Sequence, residues 1–201
     1  MTVPVISTAK KLGYKTFIHE QNSVPGKANQ MLGKIANLIC VSLKNSLNYF
    51  DSNKTIFTGN PVSENVFKLP EITKESLGIK KNKKLVLFVM GSLGAGTVNE
   101  KIVESFEQLS KQDYDALFIT GKGDYDNIIK NDIPANVHVL PYLNGLAGIL
   151  KNVDLIVTRA GASTISEIIA TKTPSLFIPS PYVPDDHQSK NAMDLVNLNA
   201  A

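Results

Sequence analysis

The sequence has no tryptophan and one cysteine, Cys40. A lone cysteine excludes an internal disulfide. Set in the apolar run NLICVS, it reads as a packed strand residue of a cytosolic protein. No apolar run approaches the roughly 20 residues that cross a bilayer. The start, MTVPVISTAKK, lacks the apolar centre of a signal peptide. A net charge of +3 is too small to indicate nucleic acid. The one dense basic run, Lys80-Lys81 with Lys83-Lys84, reads as a solvated turn. No glycine motif is followed by Lys-Ser/Thr, which excludes a Walker loop, and no G-x-G-x-x-G is present. No Ser/His/Asp order or Cys/His pairing supports a nucleophile system.

What is present is alternation. Apolar, β-rich runs occur at 16–19, 38–41, 55–58, 85–90, 116–120, 137–140, 154–158 and 175–178. Helical faces lie between several of them: Ala28, Leu32, Ile35 and Ala36; Val98, Ile102, Phe106 and Leu109; and Ile165, Ile168 and Ile169 with the aliphatic part of Thr171. Strands separated by helices give βαβ units and a mainly parallel α/β sheet. Such sheets bind ligands beyond the carboxyl ends of their strands. The segment between Gly59 and Lys84 is proline-containing, charged and poor in apolar residues, which suits a connector. The expected division is 1–62 as the end of one domain, 63–83 as connector and 84–201 as most of a second. With about three strands in the first part and an abrupt end after DDHQSKNAMDLVNLNAA, the chain is expected to be a fragment.

The stretch RAGASTISE, 159–167, follows a buried strand and opens a helix. A helix start leaves N–H groups unpaired and carries roughly half a positive charge. Gly161 lets an anion approach the backbone, and Ser163 and Thr164 add hydroxyls. Glu167 reads either as a capping residue of the first turn or as an acceptor for a sugar diol. A second candidate anion loop is MGSLGAG, 90–96, equally readable as an ordinary strand-to-helix turn. Two such loops together suit a diphosphate. The Asp-Tyr-Asp pairs at 113–115 and 124–126 read as caps and turns rather than a metal site, Asp124 being a natural N-cap. His138 reads as structural. IHEQN and DDHQ bring His19, Glu20, Gln21, Asn22, His187 and Gln188 to element ends, as polar loop termini or as a hydroxyl-binding group.

FIHEQNSVPGKANQMLGKIA, TGNPV, GSLGA with NE, and DLIVTRAGASTISEIIATKTPSLFIPSPYVPDDHQSKNA occur in that order across nearly the whole chain. They resemble the MurG family of peptidoglycan N-acetylglucosaminyltransferases. The resemblance implies two Rossmann-like domains facing a cleft (GT-B type), here with the N-terminal domain incomplete and the C-terminal domain truncated. It implies inverting transfer of N-acetylglucosamine from UDP-N-acetylglucosamine to a lipid-linked muramyl-pentapeptide. The intact enzyme would sit peripherally on the cytoplasmic face of the cell membrane, with no cofactor and no protein-held metal, while the chain alone would be inactive.

Carried over by position, Asn22 would reach the donor sugar and Ser92 the diphosphate. The backbone of Leu143 would read uracil. The block Ala162, Ser163, Thr164, Ile165, Ser166 and Glu167 would hold phosphate and ribose. Gln188 would bind the N-acetylglucosamine hydroxyls. No residue is assigned as catalytic. Val62 and Ser63 stand where the family often has arginine, and Met90 and Leu93 replace a glycine and a glutamine of its glycine loop. Two other readings remain: a non-catalytic sugar-nucleotide-binding subunit, and another enzyme of the fold such as an epimerase.

Overall fold

The structure, a computed structural model, describes residues 2–91 and 95–201. In chain order the main elements are α1 (Thr2–Lys11), β1 (Phe17–Glu20), α2 (Lys27–Ile35), β2 (Leu38–Val41), β3 (Thr55–Phe57) and α3 (Asn65–Lys68). Then come β4 (Lys84–Val89), α4 (Gly96–Glu104), α5 (Phe106–Ser110), β5 (Tyr114–Ile119), α6 (Tyr125–Ile128) and β6 (Val137–Leu140). The last are β7 (Leu155–Thr158), α7 (Ala162–Thr171), β8 (Ser175–Phe177) and α8 (His187–Val196). All strand pairing is parallel, in one sheet ordered β1-β2-β3 and another ordered β6-β5-β4-β7-β8.

The central strands of the larger sheet, β4, β5 and β7, are buried on both faces, which their continuous apolar runs require. Alternate residues of β4 divide between two clusters: Leu85, Leu87 and Val89 join Leu117, Ile119 and Ile156, while Val86, with Met90 just past the strand, joins Phe118, Ile102 and Val157. The smaller sheet packs Ile18, Ile39 and Val41 against Leu32 and Ala36. By chain contacts the molecule forms two compact units, one of Met1–Ser63, Ala160–Ser166 and Ser180–Ala200, the other of Glu64–Arg159 and Glu167–Pro179.

Each apolar strand run is a strand, within about two residues at the ends. The helices differ more. No periodicity announces α1, whose TVPVISTAKK is β-branched and has a proline in its first turn, where the missing N–H costs no helix bond. Val3 and Ile6 pack on the smaller sheet's core, so tertiary contact overrides weak propensity. The single helix expected through Val98 and Leu109 breaks at Ser105, whose N–H and Oγ both turn back to the Ile102 carbonyl. Ile35 and Ile169 lie at the edges of their helical faces, 37% and 52% exposed, and are not core residues.

Candidate functional site

The order of the larger sheet reverses between β4 and β7: chain order runs outward from β4 to β6 on one side and from β7 to β8 on the other. Ligands of open parallel sheets bind at such a reversal, beyond the strands' carboxyl ends. The chain leaves β4 through Gly91, whose φ of +102° favours glycine strongly. Ser92, Leu93 and Gly94 follow and lie outside the described residues, so the diphosphate contact expected of Ser92 does too.

The chain leaves β7 through Arg159, Ala160 and Gly161. Ile165 donates its N–H to the Gly161 carbonyl at 2.9 Å, which puts Gly161 at the cap of α7. The N–H groups of Ala162, Ser163 and Thr164 then have no partner inside the helix, and the helix dipole points with them. Among the described residues, a Cβ at Gly161 would meet only Thr164 Oγ1, at 3.9 Å, so their packing does not demand glycine there. Ser163 is exposed, whereas Ile165 is fully buried and its side chain belongs to the core. Ser166 is also buried and gives its hydroxyl to the Ala162 carbonyl at 2.8 Å. These two support the helix start from behind.

Glu167 is not in the first turn. The capping alternative is therefore corrected: the carboxylate lies a turn beyond the unpaired N–H groups. It is half-buried, has no hydrogen-bond partner among the described residues, and burial raises its pKa above the usual 4.5. The Arg159 guanidinium donates from Nη1 to the carbonyls of Ile178 and Pro179 at 2.9 and 3.0 Å, bracing this strand exit against the end of β8. Leu143, after β6, packs its side chain on the larger sheet's core while its N–H and C=O take no partner among the described residues.

The HEQN segment is organised by Glu20, a 97%-enclosed acid at the end of β1, 3% exposed. Its carboxylate accepts from the Asn22 N–H (2.9 Å), Asn22 Nδ2 (3.2 Å), the Gly26 N–H (3.2 Å) and Asn29 Nδ2 (2.8 Å). All of its lone-pair directions are used, so Glu20 builds the loop that displays Asn22 rather than meeting a ligand. His19 is likewise internal, its Nε2 3.1 Å from both the Gly59 carbonyl and Ser42 Oγ. Gln188, in the first turn of α8, accepts the Ser180 N–H through Oε1 at 2.8 Å, which leaves Nε2 to donate outward. That turn begins from two consecutive left-handed aspartates, Asp185 (φ 56°) and Asp186 (φ 49°).

Sequence reasoning missed Asn191. It is fully buried on α8 and bonded to Ser23, Asn22 and Ala160. The signal was available: Asn191 shares the apolar helical face of Ala192 and Leu195, where an amide has to be satisfied internally. The Asp-Tyr-Asp pairs have other employment. Asp113 pairs with Lys83, and Asp115 accepts from His138 Nε2 at 3.2 Å. Asp124 does precede α6, but its side chain does not cap; it accepts from Asn99 Nδ2 at 2.7 Å. At the positions of the missing arginine, Val62 N–H and Ser63 Oγ close a turn on Asn60.

Parallel sheets with a strand-order reversal beside a glycine-capped helix start define a Rossmann-like α/β protein of the GT-B glycosyltransferase fold. Residues 85–201 match the glycosyltransferase family 28 C-terminal domain, and the chain belongs to that family. It is 39% identical to the UDP-N-acetylglucosamine–N-acetylmuramyl-(pentapeptide) pyrophosphoryl-undecaprenol N-acetylglucosamine transferase of Bacillus cytotoxicus and 42% identical to that of Halalkalibacterium halodurans. Each alignment covers 98% of this chain and 56% of the relative. The crystal structure of Acinetobacter baumannii MurG superposes with a TM-score of 0.77 at 28% identity, over 98% of this chain and 55% of that one. The chain thus spans about half the length of the curated relatives it matches.

Proposed function

We propose that this chain carries the donor-nucleotide site of an inverting transferase that moves N-acetylglucosamine from UDP-N-acetylglucosamine to a lipid-linked muramyl-pentapeptide. The observation that carries the reading is the start of α7: three N–H groups without a partner inside the helix, a glycine cap, and, one turn on, a carboxylate without a partner among the described residues. The N–H groups and Ser163 and Thr164 hydroxyls bind the diphosphate. Glu167 accepts from the ribose diol, and the free backbone of Leu143 reads the uracil edge. Asn22 and Gln188 each keep an amide N–H for the sugar, and Ser92 adds a hydroxyl from the glycine loop. The names of the relatives, with identities of 39% and 42% over almost the whole chain, support the substrate pair.

On this reading, residues 1–62 belong to the acceptor side, 63–83 connect, and 84–201 hold the donor. Attack by the acceptor hydroxyl on the anomeric carbon expels UDP, and the charge that develops on the diphosphate meets the α7 dipole, already oriented before reaction. The acceptor's lipid anchor implies peripheral contact with the cytoplasmic face of the membrane; no helix among the described residues is long and apolar enough to cross one. The test is calorimetry of the folded chain with UDP, UDP-N-acetylglucosamine and AMP. Binding of both uridine nucleotides, with AMP at least tenfold weaker, is expected. Equal affinity for UDP and AMP overturns the reading.

A further inference from the structure

We infer that Asn191 is a positioning residue that fixes the orientation of Asn22 and so sets the preference for the sugar-bearing nucleotide. The inference rests on the proposed role of Asn22 toward the donor sugar. The hydrogen-bond senses follow from backbone atoms that cannot exchange roles. The Ser23 N–H only donates, so the atom 2.8 Å from it on Asn191 is Oδ1. The Ala160 carbonyl only accepts, so the atom 3.2 Å from it is Nδ2. The remaining N–H of that amide points to Asn22, 3.1 Å away, and Asn22 has to present its Oδ1. Its Nδ2 then faces the Glu20 carboxylate at 3.2 Å, an acceptor with no alternative sense.

One amide therefore determines the next. Asn22 is held at both ends, in one rotamer, with one N–H and one lone pair left over. Asn191 is itself 0% exposed with all three of its amide bonding groups engaged, so it acts through Asn22 and not by touching a ligand. The same amide grips the carbonyl of Ala160, next to the glycine cap of α7. The loop that offers Asn22 and the entry to the phosphate-binding helix are thus tied to one side chain, three residues after Gln188 on the same helix.

The experiment measures the ratio of UDP-N-acetylglucosamine affinity to UDP affinity by calorimetry in wild type, Asn22→Ala, Asn191→Asp and the double variant. Asn191→Asp retains volume and the acceptor for Ser23 but loses both donors. Each single variant is expected to lower the ratio roughly 5- to 10-fold, about the worth of one neutral hydrogen bond or slightly more. Asn22→Ala leaves UDP affinity little changed, whereas Asn191→Asp also releases the Ala160 carbonyl and weakens both nucleotides alike, a loss that cancels in the ratio. The double variant is expected to fall no further than Asn22→Ala alone, since the two residues act as one unit. A full additional loss from Asn191→Asp in the Asn22→Ala background overturns the inference, because Asn191 would then act independently. Should Asn191→Asp fail to fold, Asn191→Ala, which introduces no buried charge, has to show the same pattern. If Asn22→Ala leaves the ratio unchanged, the donor-sugar role of Asn22 is what fails. The positioning claim is then judged on the ligand-free protein: the Asn22 side-chain amide resonances have to shift in the Asn191 variant, and unmoved resonances overturn it.

Discussion

Replacing Glu167 separates folding from binding, because the two respond in opposite directions. Its half-buried carboxylate has no partner among the described residues, and burial holds its pKa above 4.5. The folded chain therefore holds this proton more tightly than the unfolded chain does. Its contribution to stability is present at pH below about 4.5 and is lost as pH rises through the raised folded value. UDP binding runs the other way, since the ribose hydroxyls need the ionised acceptor. A hydrogen bond to a charged group contributes about 1.5–3 kcal/mol, so Glu167→Ala is expected to weaken UDP about 10- to 150-fold. Glu167→Gln keeps a neutral acceptor and is expected to lose about 1 kcal/mol of binding. Neither change is expected to destabilise the chain at pH 7, where the unpaired charge is itself a cost. The assay is titration calorimetry with UDP and 2′,3′-dideoxy-UDP at several pH values, beside urea unfolding of each variant. Wild type has to discriminate between the two ligands, Glu167→Ala has to lose that discrimination, and Glu167→Gln has to retain part of it. Equal weakening of both ligands would show that the helix, not the diol, was damaged, and unchanged UDP affinity would remove Glu167 from the site.

Three further outcomes follow from the geometry. Gly161→Ala places a methyl whose nearest neighbour among the described residues is 3.9 Å away, so its unfolding free energy is expected within about 0.5 kcal/mol of wild type while UDP affinity falls about tenfold or more; retained affinity counts against phosphate approach at this cap. Glu20→Gln turns an amide N–H toward a set of four donors and is expected to cost about 2–4 kcal/mol in urea unfolding, with the Asn22 loop the first to loosen in amide exchange. Burial alone would raise the pKa of Asp154, but bonds from Lys84, the Leu85 N–H and Lys74 outweigh it and lower the value to about 2. Stability from this group is present above about pH 4 and is lost as pH falls toward 2. Because the carboxylate is 30% exposed and Lys84 more so, the loss in acid titration is expected near 1 kcal/mol, and Asp154→Asn should remove that pH dependence.

Strands were legible because each is a short apolar run, continuous in β4, β5 and β7, which are buried on both faces, and apolar even in β1, β2, β3 and β8, where one face stays partly exposed. Helix details were not. Nothing local in TVPVISTAKK favours α1; Val3 and Ile6 make it helical by packing on a distant sheet. Ser105 breaks its helix through a hydroxyl that competes for the Ile102 carbonyl, a choice that spacing does not record. In the site, the α7 start was readable from glycine and hydroxyl residues after an apolar run. The division of labour among the polar residues was not. Glu20 and Asn22 look alike in HEQN, yet one is consumed by four internal donors while the other retains free valences. Only their hydrogen bonding in three dimensions distinguishes them. Asn191 was overlooked because its partners lie near residues 22 and 160, far along the chain.

The central place of β4 also bears on how the chain is made. Its partner on one side, β5, follows within a few tens of residues, but its partner on the other, β7, begins only at Leu155. During synthesis at about 5–20 residues per second, the apolar edge of β4 stays without its second ladder for several seconds. An open edge of that kind is a template for pairing with another nascent chain. Substitutions that delay β7, or that weaken the Asp154 contacts registering it on Leu85, should therefore reduce soluble yield more than they reduce the stability of molecules that finish folding.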